Sequence, residues 1–305
     1  MEKVLKGLVI SGPTGVGKTH MSISLAKKIK ADIISADSMQ VYKKMDIGTA
    51  KITCEEMKGI KHYMLDVIEP DEDYSVGDFE KKVNKILKEK EEKSENIIIV
   101  GGTGLYIKAI TDGFSFLPSK DRRIRKELEK KSMKELTDEL KKLDEKTFNE
   151  IDLNNKVRLI RALEVCLLTG KKFSDLKTDN KKNNNYNFLK IFLTRNREEI
   201  YDRINKRVDE MKNKGLEHEA RRIYTEYGHS KYKITAIGYK EFFNYFDGNI
   251  SFEEAIEEIK KESRRYAKRQ LTWFRKEKEY VMYNLSEKSE QEIEKEILEK
   301  WKNFK

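Results

Sequence analysis

Cysteine and histidine are scarce in this chain, and it has no long apolar run. Cys54 and Cys166 cannot build a disulfide framework, and both are expected to be reduced thiols; Cys166 sits in a helical apolar pattern with Leu163 and Leu167. His20, His62, His218 and His229 are scattered, so no cluster has metal-ligand spacing. Strand-like residues begin at Val4 and reach a glycine-rich turn within a few positions, leaving no room for a signal-type apolar stretch. No run is long enough to cross a bilayer. Neither secretion nor membrane insertion is expected, and the expected location is cytoplasmic. Internal repeats and heptad arrays are also missing.

Charge, by contrast, is abundant. Charged residues make up 39% of the chain against 37% hydrophobic, so apolar positions must be concentrated on helix stripes and a few buried strands. Lys and Arg number 64 against 54 Asp and Glu; the net +10 favours a polyanionic partner, although surface lysine alone gives the same balance. A length of 305 residues suits one large α/β domain with a smaller inserted or appended unit.

Three short apolar runs each end in a small or polar turn: Leu8-Val9-Ile10 before Gly12, Ile33-Ile34 before Asp37, and Ile97 to Val100 before Gly101. Each predicts a buried parallel strand followed by a helix. Ligands in open α/β sheets lie beyond the carboxyl ends of the strands, so the three turns are expected to share one crevice. From about Asp121 to Lys177 the pattern changes to charged helices and a more apolar helix, Val157 to Leu168, closed by Thr169-Gly170. Thr178 to Asn187 is polar and aperiodic, hence a loop, and Phe188 to Leu193 returns to a strand. Helices are expected over Arg197 to Lys214, Leu216 to Tyr227, and Phe252 to about Lys278; in the last, Ile256, Ile259, Tyr266 and Phe274 form a core face. The fold class is therefore α/β, and with the G-x-x-x-x-G-K-[ST] pattern at Gly12 to Thr19 after the first strand it is a P-loop NTPase-like parallel sheet flanked by helices. Residues 1–120 and 188–305 form its core, and 121–187 form an inserted small helical domain.

Gly12-Pro13-Thr14-Gly15-Val16-Gly17-Lys18-Thr19 matches the phosphate-binding P-loop at every fixed position, with a strand before it and an amphipathic helix after it. Its backbone N–H groups and helix N-terminus suit phosphate oxygens, Lys18 adds a full charge, and the Thr19 hydroxyl suits Mg²⁺. A hydrolase would also place an acid at the end of a buried strand. Here Ile97 to Val100 runs instead into Gly101-Gly102-Thr103-Gly104. Those glycines fit either close approach to a ligand or a tight strand-to-helix turn. Asp37 is either a turn or capping residue, or a carboxylate facing the phosphate cradle.

Taken together, GPTGVGKT (12–19), ADSMQVYKKMDIGTAK (36–51), HYMLDVIEPDEDYSVGDF (62–79), GGTGLYIKAITDG (101–113), LPSKDRRIR (117–125), VRLIRALEV (157–165), GYKEF (238–242) and KRQLTWFRK (268–276) closely resemble the bacterial tRNA dimethylallyltransferases, or tRNA isopentenyltransferases, in order over nearly the whole chain. The resemblance implies transfer of a dimethylallyl group from dimethylallyl diphosphate, with Mg²⁺, to N6 of the adenosine 3′ of the anticodon in tRNAs reading codons that begin with U. It implies that Asp37 is the general base, that Thr103 hydrogen-bonds the diphosphate, and that Arg207 pairs with it. The P-loop residues Gly12 to Thr19 would hold the diphosphate, and Thr19 the metal. It assigns contacts with the tRNA anticodon stem-loop to Asp37, Ser38, Met39, Gln40, Thr103, Arg125, Val157, Arg158, Leu159, Ile160, Arg161, Lys268, Arg269, Gln270, Trp273 and Arg275. A monomer without membrane contact is expected. Val157 stands where many relatives carry Gln, and Lys61 where a His is frequent. A P-loop kinase and a non-catalytic RNA-binding protein are the competing readings. ATP consumption marks the first, and an unchanged adenosine mass marks the second.

Overall fold

A computed structural model describes residues 5–113, 117–118, 120–178 and 186–304. The strand start expected at Val4, Ser119 of the LPSKDRRIR stretch and most of the Asn-rich loop lie outside these residues. The chain divides into two compact units, one of Met1–Thr111 with Asn184–Lys305 and the other of Asp112–Asn183.

The larger unit is built on strands β1 (Leu5–Ser11), β2 (Ala31–Ser35), β3 (His62–Tyr63), β4 (Asn96–Gly101), β5 (Tyr186–Thr194) and β6 (Val281–Asn284). They form one sheet in the order β3-β2-β4-β1-β5-β6, and every pairing is parallel. Helices α1 (Lys18–Ile29), α2 (Cys54–Met57), α3 (Val76–Lys93) and α4 (Gly104–Asp112) alternate with the first four strands. In the smaller unit follow α5 (Arg122–Lys130), α6 (Met133–Leu143), α7 (Glu145–Glu150), α8 (Lys156–Thr169) and α9 (Phe173–Thr178). The larger unit resumes with α10 (Arg197–Asn213), α11 (Leu216–Tyr227), α12 (Lys240–Phe246), α13 (Phe252–Phe274) and α14 (Glu290–Asn303).

The central strands read as unbroken apolar runs because both their faces are covered. On one face, Leu8, Ile10, Ile33, Ile98 and Ile191 pack with Met21 and Leu25 of α1 and with Ile293 and Ile297 of α14. On the other, Val9, Ile34, Ile97, Ile99 and Phe192 pack with Phe79, Val83 and Leu87 of α3, Ile107 of α4 and Phe274 at the end of α13. A third cluster, including Met45, Leu216, Tyr239, Phe242 and Ile259, ties α11, α12 and α13 to the segment after β2. The smaller unit has its own core of Leu128, Leu136, Leu140, Leu159, Ile160 and Leu163.

Strand order reverses direction at β4-β1, since the chain moves outward from β1 to β2 on one side and to β5 and β6 on the other. Such a switch point opens a crevice at the carboxyl ends of the strands. Registers Ser11↔Gly101 and Ser35↔Val100 bring three of those ends level.

Two expectations need correction. The last long helix stops at Phe274 rather than near Lys278, and the chain then turns into β6, an edge strand beside β5. Helix α14 is absent from the expectations altogether.

Candidate active site

The loop after β1 is held open by backbone that only glycine adopts readily: Gly15 and Gly17 have φ of 79° and 111°. The Lys18 ammonium folds back over the loop and donates to the carbonyls of Gly12 (2.9 Å) and Pro13 (2.8 Å). Burial, reinforced by the Arg207 charge and opposed by Asp37, lowers its pKa to about 7. Three arginines grip the outer side of the same loop. Arg195 donates to Val16 O (3.1 Å), Arg203 to Gly15 O (2.7 Å) and Arg207 to Thr14 Oγ1 (3.2 Å).

The loops after β2 and β4 meet beside it. Ala36 O accepts from Thr103 N (3.2 Å), and Ser38 N donates to Thr103 Oγ1 (3.1 Å). This contact explains Gly101, where a Cβ would collide with the Ala36 carbonyl oxygen. Asp37 accepts from Met39 N (2.9 Å), so one carboxylate oxygen closes its own turn. The turn and the site readings of Asp37 are thus compatible in one conformation. Gln270 of α13 welds two loops together: its Oε1 accepts from Thr14 N (2.8 Å), and its Nε2 donates to Gly102 O (3.0 Å).

Two cavities open here and share Arg207 and Met211. One, of about 490 Å³, is lined by Gly15, Gly17, Lys18 and Thr19 and by the cations Lys51, Arg203, Lys206 and Lys214. Asp46, Glu56 and Glu210 also border it. Thr19 is exposed at the first turn of α1, and among the described residues no group of three or more His, Cys, Asp or Glu could hold a metal. The Thr19 hydroxyl, at the mouth of the phosphate-binding loop, is a side chain that could hold a Mg²⁺ together with the phosphate oxygens of a ligand. The other cavity, of about 270 Å³, has Asp37, Ser38 and Thr14 on its wall and is otherwise rich in apolar groups: Met39, Ile204, Val208, Ile237 and Ile259. Tyr266 and Arg269 also border it. Burial and the nearby Asp37 charge push the Tyr266 phenol up to about 12, so it remains a neutral hydroxyl.

Asp37, Ser38, Met39, Thr103, Arg207 and the P-loop are therefore brought together. Lys268, Arg269 and Trp273 on α13 and Arg275 at its C-cap are exposed, and the Trp273 indole lies over Gly104, where a Cβ would strike it. Gln40 and Gln270, both expected at the RNA, are engaged within the protein. The Gln40 amide is committed to Ser35 Oγ (2.9 Å), Thr49 O (3.2 Å) and Ala50 O (3.3 Å), and Gln270 is buried.

In the smaller unit, Val157 and Arg158 are exposed on α8, whereas the side chains of Leu159 and Ile160 lie in its core. Arg125 and Arg161 both bind the fully buried Glu164, at 2.9 and 2.7 Å. Burial pushes the Glu164 carboxyl up, but the hydrogen bonds from Arg125, Arg161 and the Asp121 N–H, together with the Arg125 charge, outweigh it, and its pKa is net lowered.

Sequence reasoning missed Arg195, Arg203 and the site role of Tyr266. Tyr266 sits in the apolar stripe of α13, and a buried phenol needing a polar partner was the only signal for it.

A parallel sheet with a P-loop at its switch point, flanked by a basic and an apolar cavity and lacking a hydrolytic acid after β4, defines an α/β group-transfer enzyme acting on a phosphorylated donor. A family model described as IPP transferase matches residues 40–277, and the chain belongs to that family. The tRNA dimethylallyltransferase of Fusobacterium nucleatum is 54% identical over 292 residues, 96% of each chain. That of Clostridioides difficile is 44% identical over 95% of this chain and 96% of its own. Among solved structures, the full-length tRNA isopentenylpyrophosphate transferase of Bacillus halodurans superposes with a TM-score of 0.74 at 41% identity, covering 99% of this chain and 98% of its own. A eukaryotic dimethylallyltransferase acting on tRNA reaches 0.80 at 28% identity, over 92% of this chain and 74% of its own.

Proposed function

We propose that this chain is a tRNA dimethylallyltransferase. It moves a dimethylallyl group from dimethylallyl diphosphate to N6 of the adenosine 3′ of the anticodon, in tRNAs reading codons that begin with U. Family membership and the names of the relatives support tRNA as the acceptor. The observation that carries the donor is the pair of cavities sharing Arg207, one basic against the P-loop and one largely apolar beside Asp37. A prenyl diphosphate has the same two halves, a multiply charged head and a short branched hydrocarbon.

In this reading the P-loop amides, Lys18 and Arg207 hold the diphosphate, and Thr103 donates to it near the bond that breaks. Thr19 would hold Mg²⁺ with the phosphate oxygens; when bound, the ion neutralises charge on the leaving group. The N6 lone pair attacks the allylic carbon, the C–O bond breaks with its electron pair leaving on diphosphate, and Asp37 accepts the N6 proton. Adenine N6 is a poor nucleophile, so placement by the apolar cavity and charge neutralisation must act together. Exposed Trp273 and the cations of α13 suit a flipped base's neighbours and the RNA backbone.

The test is mass analysis of nucleosides from unmodified tRNA incubated with the protein, dimethylallyl diphosphate and Mg²⁺. One adenosine per acceptor tRNA gains a dimethylallyl unit, and added pyrophosphate competes. ATP consumption, or an unchanged adenosine mass, would overturn the reading.

A further inference from the structure

Remote from Asp37 in sequence, one buried carboxylate gathers four donors. Glu219, in the first turn of α11, accepts from the backbone N–H groups of three successive residues: Asp46 (3.0 Å), Ile47 (2.9 Å) and Gly48 (3.0 Å). Its fourth donor is the Tyr239 hydroxyl, at 2.6 Å. Glu219 is 7% exposed and Tyr239 fully buried, both against the cluster of Met45, Leu216, Ala220 and Phe242. The Tyr239 ring also occupies the space where a Cβ on Gly48 would stand. The MDIGTAK turn is thus pinned from one side by hydrogen bonds to a charge and from the other by an aromatic wall.

This turn is the partition of the site. Gly48 and Thr49 line the apolar cavity, while Asp46, Ile47 and Ala50 line the basic one. Its carbonyls at Thr49 and Ala50 accept from the side chain of Gln40, three residues after Asp37, and the same side chain takes the Ser35 hydroxyl just before Asp37. A continuous set of hydrogen bonds therefore runs from Glu219 through the turn to the loop that carries the carboxylate.

We propose that Glu219 and Tyr239 are positioning residues for the transfer reaction, fixing the 46–50 turn that separates the two donor cavities and, through Gln40, fixing Asp37. The proposal rests on the transferase reading. Neither side chain lines either cavity, so neither acts on substrate directly.

Glu219→Gln keeps the shape but turns one acceptor into an NH₂ facing an N–H donor. Tyr239→Phe keeps the ring against Gly48 and deletes one bond. Wild type and both variants are compared well below their melting temperatures by three measurements: transfer kinetics with dimethylallyl diphosphate and unmodified tRNA, tRNA affinity, and amide hydrogen exchange over residues 45–51. The expected result is faster exchange in the turn and a fall in kcat of about tenfold or more for Glu219→Gln, with a smaller fall of about threefold for Tyr239→Phe. tRNA affinity should stay within about twofold, because the exposed cations assigned to the RNA backbone are left in place. If Glu219→Gln does not fold, Tyr239→Phe decides. Faster exchange with wild-type kcat and KM would show that the turn is held for stability alone and overturn the proposal, as would unchanged exchange. Absence of transfer by wild type itself would instead remove the transferase reading, and the positioning role with it.

Discussion

At the scale of single residues, Lys18 is the most unusual group in the site. Burial and Arg207 hold its pKa at about 7, so near neutral pH a large fraction of the ammonium groups in the free protein are deprotonated. A bound diphosphate supplies the missing counter-charge and raises that pKa. Lys18 is therefore expected to take up a proton on binding at pH 7 to 8, and its contribution to affinity to fall as pH rises through about 7, the pKa of the free protein, towards that of the complex. Calorimetry of pyrophosphate binding in buffers of different ionisation enthalpy measures net proton exchange, and Lys18→Met should lower the uptake by the share that Lys18 supplies. In the free fold the sign is opposite in consequence: the unfolded chain binds this proton and the folded one does not, so Lys18 costs stability below its ordinary pKa of 10.5, fully so below about 7, and that cost is relieved as pH rises between the two. Asp37 carries a second prediction. Asp37→Asn preserves the bond to Met39 N through its amide oxygen and removes proton acceptance, so turnover should drop by about 10²–10⁴ while tRNA and pyrophosphate affinities hold. Near-normal turnover would take Asp37 out of the mechanism.

At the scale of elements, α13 divides its work by face. Ile259, Ala267, Gln270 and Phe274 are buried, while Lys268, Arg269 and Arg275 stand exposed. Replacing the three cations by Gln should weaken tRNA binding and lower the slope of log affinity against log salt by about 0.7–0.9 for each phosphate no longer neutralised, with pyrophosphate affinity unchanged because none of the three borders the basic cavity. Superimposable salt series would make this an ordinary solvated surface. Much of this helix and of the central sheet was legible, because a strand covered on both faces is a contiguous apolar run and a buried helix stripe recurs every three or four residues. The P-loop was legible because its chemistry fixes residue types at fixed spacing. Helix α14 was not, although Ile293, Ile297 and Trp301 recur every four residues, since a short apolar stripe among many charges does not say what it will cover. Strand β6 was hidden by the basic run before it, and the Glu219 and Glu164 clusters by distance along the chain. A glutamate in a helix gives no sign of whether its partners are solvent or three backbone amides some 170 residues away.

At the scale of the whole molecule, Gln270 decides how far the parts act separately. Its side chain holds Thr14 of the P-loop and Gly102 of the neighbouring loop, while its backbone lies between Arg269 and Leu271 of the helix that bears the exposed cations. Gln270→Ala removes both bonds and leaves the helix sequence otherwise intact. The expected outcome is a loss of interaction between substrates: in wild type, saturating pyrophosphate changes tRNA affinity by about fivefold or more, and in the variant by less than about twofold. Binding isotherms for tRNA with and without pyrophosphate check this in both proteins.

With that outcome, one amide would make the two halves of the reaction readable to each other. Coupling free energy is reciprocal, so whatever grip the donor lends to the correct RNA, the correct RNA returns to the donor. An ill-fitting RNA, unable to settle on α13, would return none of it, and the prenyl diphosphate would dissociate unspent. Discrimination among RNAs would then appear as the dwell time of a small molecule that touches no base but the one it modifies.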